Sequence, residues 1–566
     1  MIQVQDLSVS YGGETIFNNA TLQLQKGERC ALVGRNGSGK TTFFRLLTGE
    51  EQPDSGSIAM PKGYQLGYLN QHICFSQPTT LEEALLGLPA EDREMTYRAE
   101  KILFGLGFDH SLLQMPCNQL SGGFHLRLHL AKALLSEPDC LLLDEPTNYL
   151  DILSRRFLMR FLKNWRNELI IISHDREFLD AVATHTLGIH RNTFYKVRGD
   201  CSHLFHTIAE EEETYEKTRL NQAKKREHMQ SFIDRLGAKA TKAAQAQSRK
   251  KMLEKMPILE ELKKIYNLEF SFREKSFSAK KLLEVKELSF AYNTPLINNV
   301  SFEIAKGQRI AIIGKNGYGK STLLKLLSQE LIPTSGTISS KATIGYFGQT
   351  NIDLLDPNKT IEEEIPESDY QSVKRICGIM MFPGEKSKKL IQTLSGGERS
   401  RVLLGKIVAT PCNLLLLDEP THHLDIESVE VLVDALNRFK GAIVIVTHNE
   451  EILRQLKIDT FIVCHKTRQQ LFSGTYDQFL KRIGWEEEQE SKQKKPDKST
   501  HKEMAQLERT ILSLEKTLAQ HKEELELVSQ ENDATHLQHI LSQIQNIEEK
   551  LEKAFTYLCQ LEEIKS

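Results

Sequence analysis

Two octapeptides of one form constrain this chain more than anything else in it: Gly34-Arg35-Asn36-Gly37-Ser38-Gly39-Lys40-Thr41 and Gly314-Lys315-Asn316-Gly317-Tyr318-Gly319-Lys320-Ser321. Each follows an apolar, strand-like run (Cys30-Ala31-Leu32-Val33; Ile310-Ala311-Ile312-Ile313) and precedes a helix-like one (Phe43-Phe44-Arg45-Leu46-Leu47; Leu323-Leu324-Lys325-Leu326-Leu327). A strand, a glycine-rich turn and a helix in that order aim backbone N–H groups at phosphates, while the lysine reaches the outer phosphates and the hydroxyl residue ligates magnesium. The candidates are Gly34, Asn36, Gly37, Ser38, Gly39, Lys40, Thr41 and Thr42 in the first loop, and Gly314, Asn316, Gly317, Gly319, Lys320, Ser321 and Thr322 in the second. A chain that holds this unit twice is expected to be α/β, with two large domains.

The length of 566 residues is too great for one compact core and fits two domains with smaller pieces between and after them. A formal net charge of -3 gives no global sign of a nucleic-acid binder, although local charge still matters. No apolar run is long enough to span a bilayer, and Met1-Ile2-Gln3-Val4-Gln5-Asp6 lacks the basic and apolar regions of a signal peptide, so a cytoplasmic protein is expected. Nine cysteines without a C-x-x-C pair point to buried, reduced thiols rather than zinc or disulfides. Cys30 and Cys140, inside apolar runs, read as core.

The repeat extends well past the loops. A glutamine follows an aromatic strand twice, at Gln71 and Gln349; Leu120-Ser121-Gly122-Gly123 is matched by Leu394-Ser395-Gly396-Gly397. Two apolar strands end in carboxylate pairs, Asp144-Glu145 and Asp418-Glu419, and Ser173-His174-Asp175 is matched by Thr447-His448-Asn449. The serines, the glutamates and the histidines recur at one interval, 274 residues, and the lysines at 280. Any one of these pieces alone is usually a solvated turn or a packed residue. One ordered set occurring twice is not.

These motifs resemble the ATPase domain of the ATP-binding cassette superfamily over roughly the first 485 positions, and the Leu-Ser-Gly-Gly signature separates that family from other P-loop proteins. The resemblance implies two cassettes facing head to tail, each ATP lying between one cassette's phosphate loop and the other's signature. One site would then combine Lys40, Thr41, Gln71, Asp144, Glu145 and His174 with Ser395, Gly396, Gly397 and Glu398. The other would combine Lys320, Ser321, Gln349, Asp418, Glu419 and His448 with Ser121, Gly122 and Gly123. Glu145 and Glu419 would polarise the attacking water, and His174 and His448 would contact the γ-phosphate. Magnesium would be held by Thr41, Gln71 and Asp144 in one site and by Ser321, Gln349 and Asp418 in the other, with Tyr11 and Tyr292 placed to stack on adenine. Three positions depart from the pattern. Phe124 stands where Glu398 follows the second signature, Tyr318 is bulky for a phosphate loop, and His422-His423 replaces Asn148-Tyr149.

The resulting division is a first cassette over 1–204, a basic helical linker over 205–281, a second cassette over 282–485, and a flexible joint with a C-terminal antiparallel coiled-coil hairpin over 486–566. The linker reads as two helices around a break near Gly237-Ala238, and from Lys217 to Lys255 it holds twelve Lys or Arg against Glu227, Asp234 and Glu254. Such a density of cations suits a phosphate backbone without sequence readout, the lesser alternative being a solvated, charge-rich helical hairpin. Paired cassettes on a basic helical linker without a membrane domain resemble the ABC-F proteins that act on ribosomes, and the linker is similar to that of the YheS-like branch. That resemblance implies a translation factor whose linker enters the ribosomal E site toward P-site tRNA, with Lys239, Lys242, Arg249 and Lys250 as RNA contacts, acting as a monomer with a housekeeping role. In the tail, Leu507, Ile511, Leu514 and Leu518, then Ile540, Ile544, Ile547 and Leu551, keep the three- and four-residue steps of a coiled-coil seam. The rival readings are the energy module of a membrane transporter and a DNA-associated ATPase.

Overall fold

The computed structural model describes residues 1–68, 75–93, 96–148, 150–237, 251–253, 270–276, 280–292, 294–348, 355–367, 369–421, 424–466 and 468–484, with isolated positions at 256, at 261 and within 507–553. Gln71, Gln349, Tyr149, His422, His423, the four linker cations Lys239, Lys242, Arg249 and Lys250, and nearly all of the C-terminal hairpin lie outside the described residues.

The first cassette contributes β1 (Ile2–Tyr11), β2 (Glu14–Leu24), β3 (Arg29–Val33), β4 (Ser55–Ala59), β5 (Leu66–Tyr68), β6 (Cys140–Asp144), β7 (Glu168–Ile172), β8 (His185–His190) and β9 (Thr193–Arg198). The second repeats them as β10 (Lys281–Ala291), β11 (Pro295–Ala305), β12 (Arg309–Gly314), β13 (Ser335–Ser340), β14 (Ile344–Phe347), β15 (Leu414–Asp418), β16 (Ala442–Val446), β17 (Thr460–Cys464) and β18 (Gln469–Ser473). In each half a six-stranded sheet, ordered β5-β6-β7-β3-β8-β9 or β14-β15-β16-β12-β17-β18, packs with a three-stranded antiparallel one, β2-β1-β4 or β11-β10-β13. Leu141, Leu142 and Leu143, like Leu414 to Leu417, are fully buried, as expected for strands covered on both faces by other layers. Cys30 and Cys140 are likewise in the core.

This order decides where chemistry can happen. β3 pairs in parallel with β7 and β8, and β7 with β6, so the phosphate loop after β3, the carboxylates ending β6 and the histidine after β7 reach one edge of the sheet. Open parallel sheets bind ligands at this carboxyl edge. The second half repeats the pairing through β12, β16, β17 and β15.

Between the cassettes a helix of 37 residues, Cys201–Gly237, runs out from the first cassette, a length of roughly 55 Å at the α-helical rise. The break expected near Gly237-Ala238 borders residues outside the described ones. Arg226 on this helix donates to the carbonyls of Leu253 (3.4 Å) and Met256 (3.0 Å), so the returning chain lies against the outgoing helix there. No helix among the described residues is long and apolar enough to cross a membrane.

Candidate functional site

Each phosphate loop enters its helix through a glycine in the left-handed region, Gly39 at φ 99° and Gly319 at φ 86°. A side chain is strained at such angles, and a Cβ would come within 2.4 Å of Ile16 at Gly39 and 2.9 Å of Leu296 at Gly319. At Gly37 and Gly317 the same Cβ would meet nothing within 4 Å, so the loops leave an open cradle beneath backbone N–H groups. Lys40 is 9 % exposed and donates to the carbonyls of Gly34 (2.7 Å) and Arg35 (3.0 Å). Lys320 is 7 % exposed and donates to those of Gly314 and Lys315, both at 2.9 Å, and to Asn316 Oδ1 at 3.2 Å. Burial lowers both ammonium pKa values, partly offset by the nearby carboxylates. A buried ammonium held by oxygen dipoles, facing a glycine cradle, suits a polyphosphate anion.

The hydroxyl after each lysine meets the carboxylate that ends the neighbouring strand. Thr41 donates to Asp144 Oδ2 at 2.9 Å, and Ser321 is hydrogen-bonded to Asp418. Burial raises both aspartate pKa values against those bonds. A hydroxyl and a carboxylate side by side at a phosphate cradle form an oxygen-only donor set that fits magnesium.

Glu145 and Glu419 both take left-handed backbone angles, φ 51° and 47°, while their amides donate to Ile172 O and Val446 O of the adjacent strands at 2.9 Å. The same uncommon conformation at both positions turns each carboxylate off its strand toward its histidine. Glu145 Oε1 lies 3.2 Å from His174 Nε2, and Glu419 Oε1 lies 3.5 Å from His448 Nε2, which also meets Asn316 Oδ1 at 3.0 Å. Burial, helped by the neighbouring aspartate, raises the Glu145 pKa well above its ordinary value and that of Glu419 to about 8.

The two cassettes meet along these sites. A cavity of about 520 Å³ is lined by Lys320, Ser321, Asp418, Glu419 and His448 of the second cassette together with Ser121 and Gly123 of the first. At the first loop the seam is crossed by the Asn36 amide, which donates to Asp425 Oδ2 at 3.0 Å, and by an Arg35–Glu427 ion pair at 2.6 Å. Ser395 caps the helix Gly396–Ala409 in a closed capping box: its hydroxyl accepts from the Glu398 amide (3.3 Å) while the Glu398 carboxylate accepts from the Ser395 amide (2.9 Å). Ser121 opens the matching helix without a side-chain cap bond, and Phe124 has no carboxylate to return a bond to the Ser121 amide.

Sequence reasoning missed the clasp behind the catalytic groups. Arg155 donates to the carbonyl of His448 at 2.6 Å and pairs with Asp175, while Arg156 grips Glu450 through two bonds of 2.7 and 3.0 Å. His448 and Glu450 lie almost three hundred residues from these arginines, and an arginine within a helix carries no local sign of a distant partner. Burial would raise the Glu450 pKa, but the bond and charge of Arg156, with Arg454 and Arg155, outweigh it and hold the carboxyl below its ordinary 4.5. A lowered folded-state pKa gives stability that is complete above 4.5 and is lost as the pH falls through the lower value. Glu450→Gln is therefore expected to cost about 1–3 kcal/mol near neutral pH. In urea titrations its gap from the parent chain closes only below 4.5.

Tyr11 and Tyr292 stand at the ends of the antiparallel sheets, but differently: the Tyr11 hydroxyl is bonded to Glu51, which pushes its pKa up to about 12, whereas Tyr292 is 63 % exposed and borders the second loop's cavity.

Two phosphate-loop sheets with strand-end carboxylates, meeting across a shared seam, define a tandem nucleotide-binding cassette protein. Residues 17–148 and 297–422 match the family described as ABC transporter, and 187–272 match its extension, also described as ABC transporter. The chain is 35% identical over 533 residues to the probable ATP-binding protein YheS of Escherichia coli K12, covering 86% of this chain and 83% of that one. It is 32% identical over 529 residues to the human ATP-binding cassette sub-family F member 3, covering 84% and 73%. Among solved structures, an archaeal ribosome recycling factor, aABCE1, crystallised with ribosomal stalk protein aP1, shares the fold with a TM-score of 0.58 at 20% identity, covering 85% of this chain and 92% of that one. The chain belongs to the ABC-F family of ATP-binding cassette proteins, and its activity is ATP hydrolysis.

Proposed function

We propose that this protein is an ATP-driven binding switch of the translation apparatus. Two ATP molecules draw the cassettes shut, the basic linker sits in the ribosomal E site near P-site tRNA, and hydrolysis lets the protein leave. The observation that carries this reading is that the linker is rooted in both cassettes. On the outgoing side, Glu212 accepts from Arg191 (2.6 Å) and meets His190 (2.8 Å) in the β8–β9 turn, whose Arg191 and Asn192 line a cavity with Gly37 and Ser38 of the first phosphate loop. On the returning side, Phe270 and Phe272 are buried in the core of the second cassette, and Lys275 donates to Cys412 O at 2.9 Å. A hinge between the cassettes would therefore move the two roots of the linker relative to each other. That the archaeal neighbour is a ribosome recycling factor supports this reading.

In this reading, ATP brings a terminal phosphate that contacts both halves only when they are closed, and its loss on hydrolysis removes that differential affinity. Lys40 and Lys320 bind the outer phosphates, and the loop amides orient them. Thr41 with Asp144, and Ser321 with Asp418, would hold magnesium, which supplies charge neutralisation. Glu145 and Glu419 orient the attacking water and draw on its proton, with His174 and His448 beside them. Ser121 and Ser395 close the sites from the opposite cassette. In this arrangement both sites are completed within one chain, so a monomer suffices.

The test is retention of the Glu145→Gln/Glu419→Gln chain with ATP on a sucrose gradient of cell lysate. It is expected to sediment with ribosomes, and substituting Lys239, Lys242, Arg249 and Lys250 by alanine is expected to weaken that retention and flatten its salt dependence. Sedimentation with membranes or DNA instead would overturn the proposal in favour of the transporter or chromosomal reading.

A further inference from the structure

Two of the positions at which the repeats depart from each other lie on one site. Phe124 stands in the place of Glu398, and Tyr318 in the place of Ser38. Both line a cavity of about 930 Å³ between the cassettes, and Phe124 also lines the adjoining cavity of the Lys320 loop, where Tyr292 borders the opposite side of the seam. The Phe124 ring is fixed in place: Phe108 packs edge-on at 5.0 Å and the Arg127 guanidinium lies 4.9 Å from its centroid. Tyr292 stands edge-on to Phe290 at 4.8 Å. Two aromatic side chains from opposite cassettes thus border the space that a nucleotide on Lys320 must enter. The Lys40 site has a different makeup, with the Tyr11 hydroxyl engaged by Glu51 and Glu398 closed into its capping box with Ser395.

We infer that Phe124 is a specificity-determining residue which, with Tyr292, encloses the base and ribose of an adenine nucleotide at Lys320 and makes this the slower-releasing of the two sites. The inference rests on the head-to-tail sites proposed above. An aromatic wall contributes where a carboxylate contributes nothing to a π face and repels phosphate, so the two sites differ in dwell time although their loops are alike.

The experiment uses the full chain with Glu145→Gln and Glu419→Gln to stop turnover, and reads the dissociation of a fluorescent ATP analogue. Lys40→Ala leaves the Lys320 site and Lys320→Ala leaves the Lys40 site. One nucleotide is expected to bind in each case, and to leave the Lys40→Ala chain about tenfold more slowly, the size expected for one added aromatic contact. In the Lys40→Ala chain, Phe124→Glu is expected to abolish that difference and Phe124→Tyr to preserve it. Equal release from both chains, or unchanged release with Phe124→Glu, overturns the inference. Where Phe124→Glu impairs folding, seen as lost binding at the Lys40 site of the Lys320→Ala chain, Phe124→Leu replaces it and the same speeding of release is required. A chain that still binds two nucleotides after either lysine substitution would instead sink the two-site reading itself.

Discussion

Replacing Glu145 and Glu419 together by glutamine is expected to lower steady-state phosphate release by about a thousandfold, within the range for a lost general base, while ATP binding measured by calorimetry stays intact. Glutamine keeps the shape of each side chain, so the amides that donate to Ile172 and Val446 and the packing around the turn are undisturbed. What it removes is a carboxylate whose proton affinity burial has raised, to about 8 at Glu419. That raised affinity suits a group drawing a proton from water near neutral pH. Each single substitution is expected to remove the contribution of its own site and leave turnover at the other. Full turnover in the double variant would show that neither glutamate acts on the water.

The second large effect is expected at Arg155. Its side chain is 6% exposed and its partner Asp175 10%, so Arg155→Ala leaves a buried carboxylate without its cation and cuts the bond to His448 across the seam. Breaking a buried pair from one side costs about 3–5 kcal/mol. A fall of several degrees in the thermal midpoint is expected, along with weaker ATP-induced closure measured by cross-cassette fluorescence transfer. Burial raises the Asp175 pKa despite Arg155, so adding Asp175→Asn, which removes the stranded charge, is expected to recover part of the stability and none of the closure. No recovery would mean that the arginine acts by packing alone.

The parts of the fold legible in the sequence were those whose cause is local. A glycine run between an apolar strand and a helix announces Gly34 to Thr41, because only that backbone fits, and Cys140-Leu141-Leu142-Leu143 announces a strand buried on both sides. The equal spacing of signatures, carboxylates and histidines announced a duplicated toolkit. What could not be read were contacts decided by how the halves meet: Arg155 with His448, Arg156 with Glu450, and the Asn36 amide with Asp425. The same holds for Phe124 and Tyr318. Each was visible as a departure from its own motif, but nothing within either copy told that the two share one cavity.

The cavity completed by Ser121 and Gly123 around Lys320 has a consequence for the chain as a polymer. In the proposed head-to-tail arrangement neither half owns a whole catalytic centre, so a cut in the linker would leave two halves that must find one another by diffusion. Tethered, each half meets the other at an effective concentration set by the length and stiffness of the linker. A seam that would come apart on dilution of separate fragments would, within one chain, still close and still reopen.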